Sequence, residues 1–265
     1  MRLRVALDQS LPGWRFELEA LGQVRLIRAR AAGWKPTDET AMRGLFLAYL
    51  SAMTDWRRIQ SALPQIDTLF DDWTPPSIAR LRDRDLAKTY TWLLDRKLGS
   101  VLLRRQLECL RAAARVFMRM GRDGATVCAV LERHAQADVA SVLSAKESPW
   151  KLPGVGIALA AEFLKNLGFD DFKPDRHTIR ILGPGRLGLV DTLEPGAVRL
   201  AGLRLARDAG LLAAELDQML WMYCAQGYAR VCSANPDCSA CPLSSRCNFP
   251  SRGSPRRNPA RHVNP

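Results

Sequence analysis

The chain has 265 residues, and its 39 lysines and arginines outnumber 27 aspartates and glutamates, so the formal net charge at pH 7 is +12. Hydrophobic residues make up 47% of the sequence and charged residues 25%, a globular balance that excludes whole-chain disorder. No apolar run is long enough to span a membrane, and the first residues, MRLRVALDQS, lack a signal-peptide core. We therefore expect a cytoplasmic protein of one or two domains, whose charge favours nucleic acid as a partner.

The first 36 residues give mixed signals, and the rest of the chain is helical in pattern. Polar and apolar residues alternate over 2–7, which predicts a short strand, whereas 14–30 has the spacing of an amphipathic helix. Further helices are predicted over residues 38–53, 55–63, 77–95, 99–120, 124–134, 136–146, 157–167, 176–182, 194–208 and 211–227. The predicted fold class is therefore all-α or nearly so. The proline- and arginine-rich segment 249–265 is predicted to be a disordered basic tail.

The segment 152–156, Leu-Pro-Gly-Val-Gly, joins two predicted helices, and we call it the hairpin. Its two glycines permit a tight turn because they lack the Cβ that would obstruct one. The helix that follows begins with backbone N–H groups that have no partner inside the helix, which suits a phosphate oxygen. The sequence therefore predicts a phosphate-binding hairpin, with a plain turn between packed helices as the alternative.

An aspartate, Asp175, follows the hairpin by about twenty residues. Pro174 disfavours a helix before it, so Asp175 is predicted to cap the next helix. A carboxylate there would stabilise an oxocarbenium-like sugar or orient a water molecule against it, as in glycoside hydrolysis. A capping role alone is the alternative.

Four of the seven cysteines lie close together in residues 232–247, which we call the cysteine loop. Their spacing is C-x5-C-x2-C-x5-C, and the four are Cys232, Cys238, Cys241 and Cys247. Such clustering in a cytosolic protein indicates metal binding, and four thiolates accept either a structural zinc or a [4Fe–4S] cluster. The other three, Cys109, Cys128 and Cys224, are expected to be small buried apolar residues.

With these three features in this order, the chain resembles the endonuclease III-like superfamily of DNA glycosylases over roughly residues 38–247. The hairpin resembles that family's helix-hairpin-helix motif, and Asp175-x-His177-x-x-Arg180 resembles the segment that carries its catalytic aspartate. The cysteine loop resembles the family's C-terminal iron–sulfur loop.

The resemblance implies two helical lobes with a DNA-binding groove between them. One lobe would be 37–183, with the helix-hairpin-helix at about 137–167, and the other would combine 1–36 with 184–248. It implies a nucleoid-associated, monomeric glycosylase of base excision repair, with Asp175 catalytic, that flips a damaged or mispaired base out of double-stranded DNA. The DNA-binding residues would be Leu152, Gly154, Val155, Gly156, His177 and Arg180, and the cofactor would be a [4Fe–4S] cluster, with zinc less favoured.

The sequence departs from the family pattern at three places. Bifunctional members carry a lysine where this chain has Ala158, which implies a monofunctional enzyme with water as the nucleophile. The first spacing in the cysteine loop is five residues rather than six. A glutamine common in the early helical segment is replaced by Ala52 or Met53.

Several residues are candidates for the base pocket or for a wedge in the DNA. These are Ala52, Met53, Trp56 and Trp150, with Tyr49 and Tyr90 as further stacking candidates; core packing is the alternative for each aromatic residue. Two other functions stay open: a glycosylase with lyase activity from Lys151 or Lys165, and a non-catalytic iron–sulfur or zinc protein that binds damaged or branched DNA. The sequence leaves the identity of the excised base open.

Overall fold

A computed structural model describes residues 2–134 and 138–249, and the described residues form helices without a β-strand among them. The helices of the N-terminal half are α1 (Arg2–Ser10), α2 (Trp14–Ala20), α3 (Gln23–Ala31), α4 (Asp38–Ser51), α5 (Trp56–Ile66), α6 (Pro75–Ala79), α7 (Asp83–Asp95) and α8 (Leu103–Met120). Those that follow are α9 (Val127–Arg133), α10 (Val139–Ser144), α11 (Ile157–Asn166), α12 (Arg176–Leu182), α13 (Pro195–Asp208) and α14 (Ala213–Cys224). The all-α prediction is confirmed, and none of these helices is long and apolar enough to cross a membrane.

The predicted strand over 2–7 is wrong, because these residues belong to α1. The segment is short enough to satisfy two patterns, since its apolar residues Leu3, Ala6 and Leu7 also have helical spacing. Ala6 and Leu7 are fully buried, and α1 packs against α14. Burial against a helix decides between the two patterns.

Several predicted helices have different limits in the structure. The helix expected over 14–30 is broken between α2 and α3, where Gly22 adopts a positive φ of 81°. The helix expected over 77–95 is divided into α6 and α7. Helix α5 continues two residues past Pro64, because a proline in the last turn removes only one intrahelical hydrogen bond. The prediction over 136–146 falls partly outside the described residues, which resume before α10.

The chain forms two compact units. The first, residues 25–171, is organised around α4, which packs against α5, α6, α8, α9 and α11. Helix α4 is buried on nearly all sides, so Met42, Leu45 and Phe46 contribute to one continuous core.

The second unit contains the described residues up to Val24 and those from Phe172 onward. Its central helix is α14, which packs against α1, α2, α12 and α13. Phe172 is fully buried, and a Cβ added to Gly202 of α13 would lie 2.3 Å from its ring. Glycine at position 202 therefore permits the close approach of α13 to Phe172.

The hairpin lies in the first unit, whereas Asp175 and the cysteine loop lie in the second. The lobes predicted with limits at 37 and 183, and the groove between them, stay a prediction. The predicted tail lies outside the described residues, except for Phe249.

Candidate active site and cysteine loop

The hairpin is anchored from inside by its apolar residues. Leu152 and Val155 are buried, and the Leu152 backbone N–H donates to the Leu143 carbonyl of α10 at 3.0 Å. These two predicted DNA-binding residues therefore hold the turn in place, because their side chains face the core.

The two hairpin glycines lie in different surroundings. Gly154 has a φ of +68°, and an added Cβ would lie 2.8 Å from the Cys109 sulfur. Gly156 is the N-cap residue of α11 and has no side chain that could accept a hydrogen bond from the helix. A Cβ added at Gly156 would meet no atom within 4 Å. Gly154 thus fits against the protein, whereas Gly156 leaves the start of α11 open to a ligand.

Two side chains support the hairpin from nearby. The Tyr49 hydroxyl of α4 donates to the Pro153 carbonyl, and the Lys151 ammonium group donates to the Val155 carbonyl. Desolvation lowers the pKa of Lys151 from its ordinary value. Tyr49 is fully buried, so it packs in the core and is not available for stacking on a base.

The loop after α4 carries three of the candidate pocket residues. Ala52 ends the helix, and Met53 follows with a positive φ of 65° and 71% of its surface exposed. Trp56 begins α5 and packs partly against the core, and its buried Nε1 has no hydrogen-bond partner among the described residues. Because Tyr49 lies one turn before this loop, its hydrogen bond to Pro153 links the loop to the hairpin.

Trp150, the fourth candidate, is half-buried immediately before Lys151. Its Nε1 donates to Nε2 of His134 at 3.2 Å, and its ring packs against the core of the first unit. Those contacts fit a supporting role for the hairpin better than a base pocket.

Asp175 is the N-cap of α12, as predicted from the sequence. Its Oδ1 accepts the backbone N–H groups of His177 at 2.7 Å and Thr178 at 3.0 Å. No described residue donates to its Oδ2. One oxygen therefore fixes the orientation of the half-buried carboxylate, and the other can face a reacting group.

His177 and Arg180 connect α12 to the cysteine loop. Arg180 has one guanidinium nitrogen 3.1 Å from Nδ1 of His177, and the same nitrogen donates to the Cys232 carbonyl at 3.0 Å. Desolvation is the main cause that lowers the pKa of His177, against the opposing effect of Asp175. Arg180 is therefore directed toward the cysteine loop, which differs from its predicted contact with DNA.

The four cysteines of the loop line one cavity, together with Arg186 and Phe249. Among the described residues, no three His, Cys, Asp or Glu side chains converge closely enough to hold a single metal ion. A tetrahedral zinc would require sulfur atoms about 3.8 Å apart, given Zn–S bonds of about 2.3 Å. A cluster of four irons holds its cysteine sulfurs further apart than one ion does.

Arg186 supplies positive charge to this cavity. Its guanidinium group lies beside Cys232 and stacks 3.5 Å from the ring centroid of Phe249. Its Nε is buried, and no described residue accepts a hydrogen bond from it. Four thiols around one cavity, with a buried cation that retains an unused donor, fit an anionic iron–sulfur cluster.

Comparison with known proteins gives a structural match only. No protein-family model matches the sequence, and no curated protein matches it significantly. The structure is similar to an 8-oxoguanine glycosylase/lyase from Methanocaldococcus jannaschii, solved in complex with a 15mer DNA containing 8-oxoguanine, with a TM-score of 0.50. Sequence identity is 16%, and the match covers 79% of this chain and 90% of the other. The chain shares the all-α fold of that glycosylase/lyase.

Within this fold, the structure identifies supporting residues that sequence patterns missed. Tyr49 and Cys109 contact the hairpin from α4 and α8, and no spacing rule links them to it. Tyr223 and Cys224, at the end of α14, contact the cysteine loop. Of these four residues, only Cys224 could have been linked to its site from the sequence, because it is a cysteine that precedes Cys232 by eight residues.

Proposed function

We propose that the protein is a DNA glycosylase that hydrolyses the N-glycosidic bond of a damaged or mispaired base in duplex DNA. The observation that carries this proposal is the Asp175 carboxylate, which is fixed through one oxygen at the start of α12 in a chain with this fold. It acts as a monomer on duplex DNA, and its net positive charge supports that partner.

The proposed reaction uses the chain in three ways. The open start of α11 at Gly156 binds a backbone phosphate through its N–H groups. The target nucleotide leaves the stack, because its glycosidic bond cannot be reached inside the duplex. The Asp175 carboxylate then stabilises the positive charge that develops on the sugar and orients a water molecule toward it.

Hydrolysis without strand cleavage is the favoured form of this activity. Ala158 has no amine to form a Schiff base with the sugar. Lys165, an alternative amine, is 2% exposed and forms an ion pair with Glu162 at 3.1 Å. Burial and the ion pair hold the Lys165 amine inside the protein, away from DNA.

A lyase activity from Lys151 is the second candidate, because this lysine adjoins the hairpin and burial lowers its pKa. A lower pKa increases the neutral amine that attacks a sugar aldehyde. Borohydride reduction in the presence of abasic DNA would trap the protein covalently, and Lys151→Arg would abolish the trapping. Absence of trapping in the wild-type protein excludes this candidate.

We further propose that Cys232, Cys238, Cys241 and Cys247 hold a [4Fe–4S] cluster. When bound, such a cluster cross-links the loop and supplies one-electron redox chemistry. The four cysteines around one cavity and the unused buried donor of Arg186 support this proposal. Iron and acid-labile sulfide, measured per chain after anaerobic purification, would support the cluster, whereas one zinc per chain would replace it.

The decisive experiment is base release from duplexes that each carry one lesion, assayed with and without hot alkali. We expect strand breaks only after alkali with wild-type protein, and none with Asp175→Asn. Asp191→Asn is the matched control, because Asp191 is exposed in the same unit. Tight, salt-sensitive binding without base release from any lesion would instead indicate a non-catalytic DNA-binding protein.

A further inference from the structure

We propose that Tyr223 and Cys224 donate hydrogen bonds to two cysteine ligands of the cluster and thereby raise its reduction potential. This inference rests on the proposed cluster in the cysteine loop. It gives a role to Cys224, whose apolar helical surroundings predicted only a buried core residue.

The two donors are consecutive residues that approach different ligands. The Tyr223 hydroxyl lies 3.1 Å from the Cys241 sulfur. The Cys224 thiol is in hydrogen-bonding contact with the Cys232 sulfur. A cysteine that binds iron does so as a thiolate, which can only accept a hydrogen bond, so Cys224 is the donor in the loaded protein.

Cys224 lies behind the ligand set and does not belong to it. The cavity is lined by the four cysteines of the loop, and neither Cys224 nor Tyr223 is among its lining residues. Both side chains come from the last turn of α14 and are almost completely buried. They therefore reach the ligand sulfurs from the protein side, where water does not compete.

The position of both donors is fixed by the core of the second unit. Helix α14 packs against four other helices, and the Cys232 backbone N–H donates to the Tyr223 carbonyl at 3.2 Å. The loop and the end of α14 are therefore joined by backbone as well as side-chain contacts. A fixed donor does not have to reorient when the charge on its acceptor changes.

The effect on the cluster follows from electrostatics. Reduction adds an electron whose charge is shared with the ligand sulfurs, so a hydrogen bond to sulfur stabilises the reduced form more than the oxidised form. Removal of one donor should lower the reduction potential. For a hydrogen bond of ordinary net strength, the oxidised-to-reduced ratio at a fixed applied potential rises about fivefold.

The test measures iron content and reduction potential for the full-length, cluster-loaded protein and its variants. Tyr223→Phe and Cys224→Ala remove a donor each, whereas Cys224→Ser keeps one. We expect the first two to retain iron and show the lower potential, with the serine variant close to wild type. The matched controls are Tyr90→Phe and Cys128→Ala, which lie in the first unit and should not change the potential.

Two failures can be distinguished. Wild-type protein without iron would overturn the cluster proposal and this inference with it. Iron-loaded Tyr223→Phe and Cys224→Ala with an unchanged potential would overturn the hydrogen-bond inference alone and leave the cluster in place. If Cys224→Ala fails to fold, Tyr223→Phe decides the question, because it conserves the buried ring.

Discussion

His177 shows how a single half-buried side chain gives the protein a pH dependence. Its ring contacts the guanidinium groups of Arg176 and Arg180, with Asp175 as the nearby negative charge. Burial lowers the pKa of His177, so the folded state binds this proton less readily than the unfolded chain, whose histidine has a pKa of about 6.5. The resulting stabilisation is complete above that value and is lost as the pH falls through the lower, folded-state pKa.

The lowered pKa of His177 predicts a measurable difference between the wild type and a variant without the histidine. Between about pH 7 and about pH 5, the free energy of unfolding of the wild type should fall more steeply than that of His177→Gln. Urea unfolding at several pH values measures the two slopes, and carboxylates elsewhere contribute equally to both proteins. Parallel curves would show that His177 titrates alike in the folded and unfolded states.

The two glycines of the hairpin have different roles. One is needed for the stability of the protein, and the other leaves space for the proposed binding of DNA phosphate. Gly154 needs its positive φ and its contact with Cys109, whereas Gly156 has open space around it. A methyl group at the first position strains the protein, and at the second it occupies the space in which a phosphate would lie.

We expect Gly154→Ala to lower the free energy of unfolding by about 2 kcal/mol or more, through its backbone conformation and its clash with sulfur. Gly156→Ala should cost less than about 1 kcal/mol. Both should weaken DNA binding, which fluorescence anisotropy measures alongside urea unfolding. Gly156→Ala that bound DNA like the wild type would exclude the start of α11 as a phosphate site.

At the scale of the whole molecule, the net charge of +12 attracts duplex DNA whatever the base sequence of that DNA. A plot of the logarithm of duplex affinity against the logarithm of salt concentration should therefore be a straight line. Its slope should be about −0.9 for each phosphate that the protein neutralises. With about six phosphates contacted, affinity falls about a thousandfold between about 50 mM and about 200 mM salt. Anisotropy titrations test this, and Asp175→Asn should give the same slope. A flat salt response would contradict a DNA-binding role for the basic surface.

Much of the candidate site could be inferred from local patterns. The helical period of the chain and the cap at Asp175 depend on neighbouring residues, and both agree with the structure. The spacing of the four cysteines indicated a common site, and all four line one cavity. Such features are readable because they involve residues close in the sequence, whose geometry is set by backbone sterics and local hydrogen bonds.

Tertiary packing decided what local patterns left open. It made residues 2–7 a helix by burying Ala6 and Leu7, placed Tyr49 in the core beneath the hairpin, and directed Arg180 to the Cys232 carbonyl. Each outcome depends on a partner that is distant in the sequence, so no local spacing could indicate it. Burial and hydrogen-bond satisfaction select among conformations that the local sequence permits equally, and both exist only once the chain has folded.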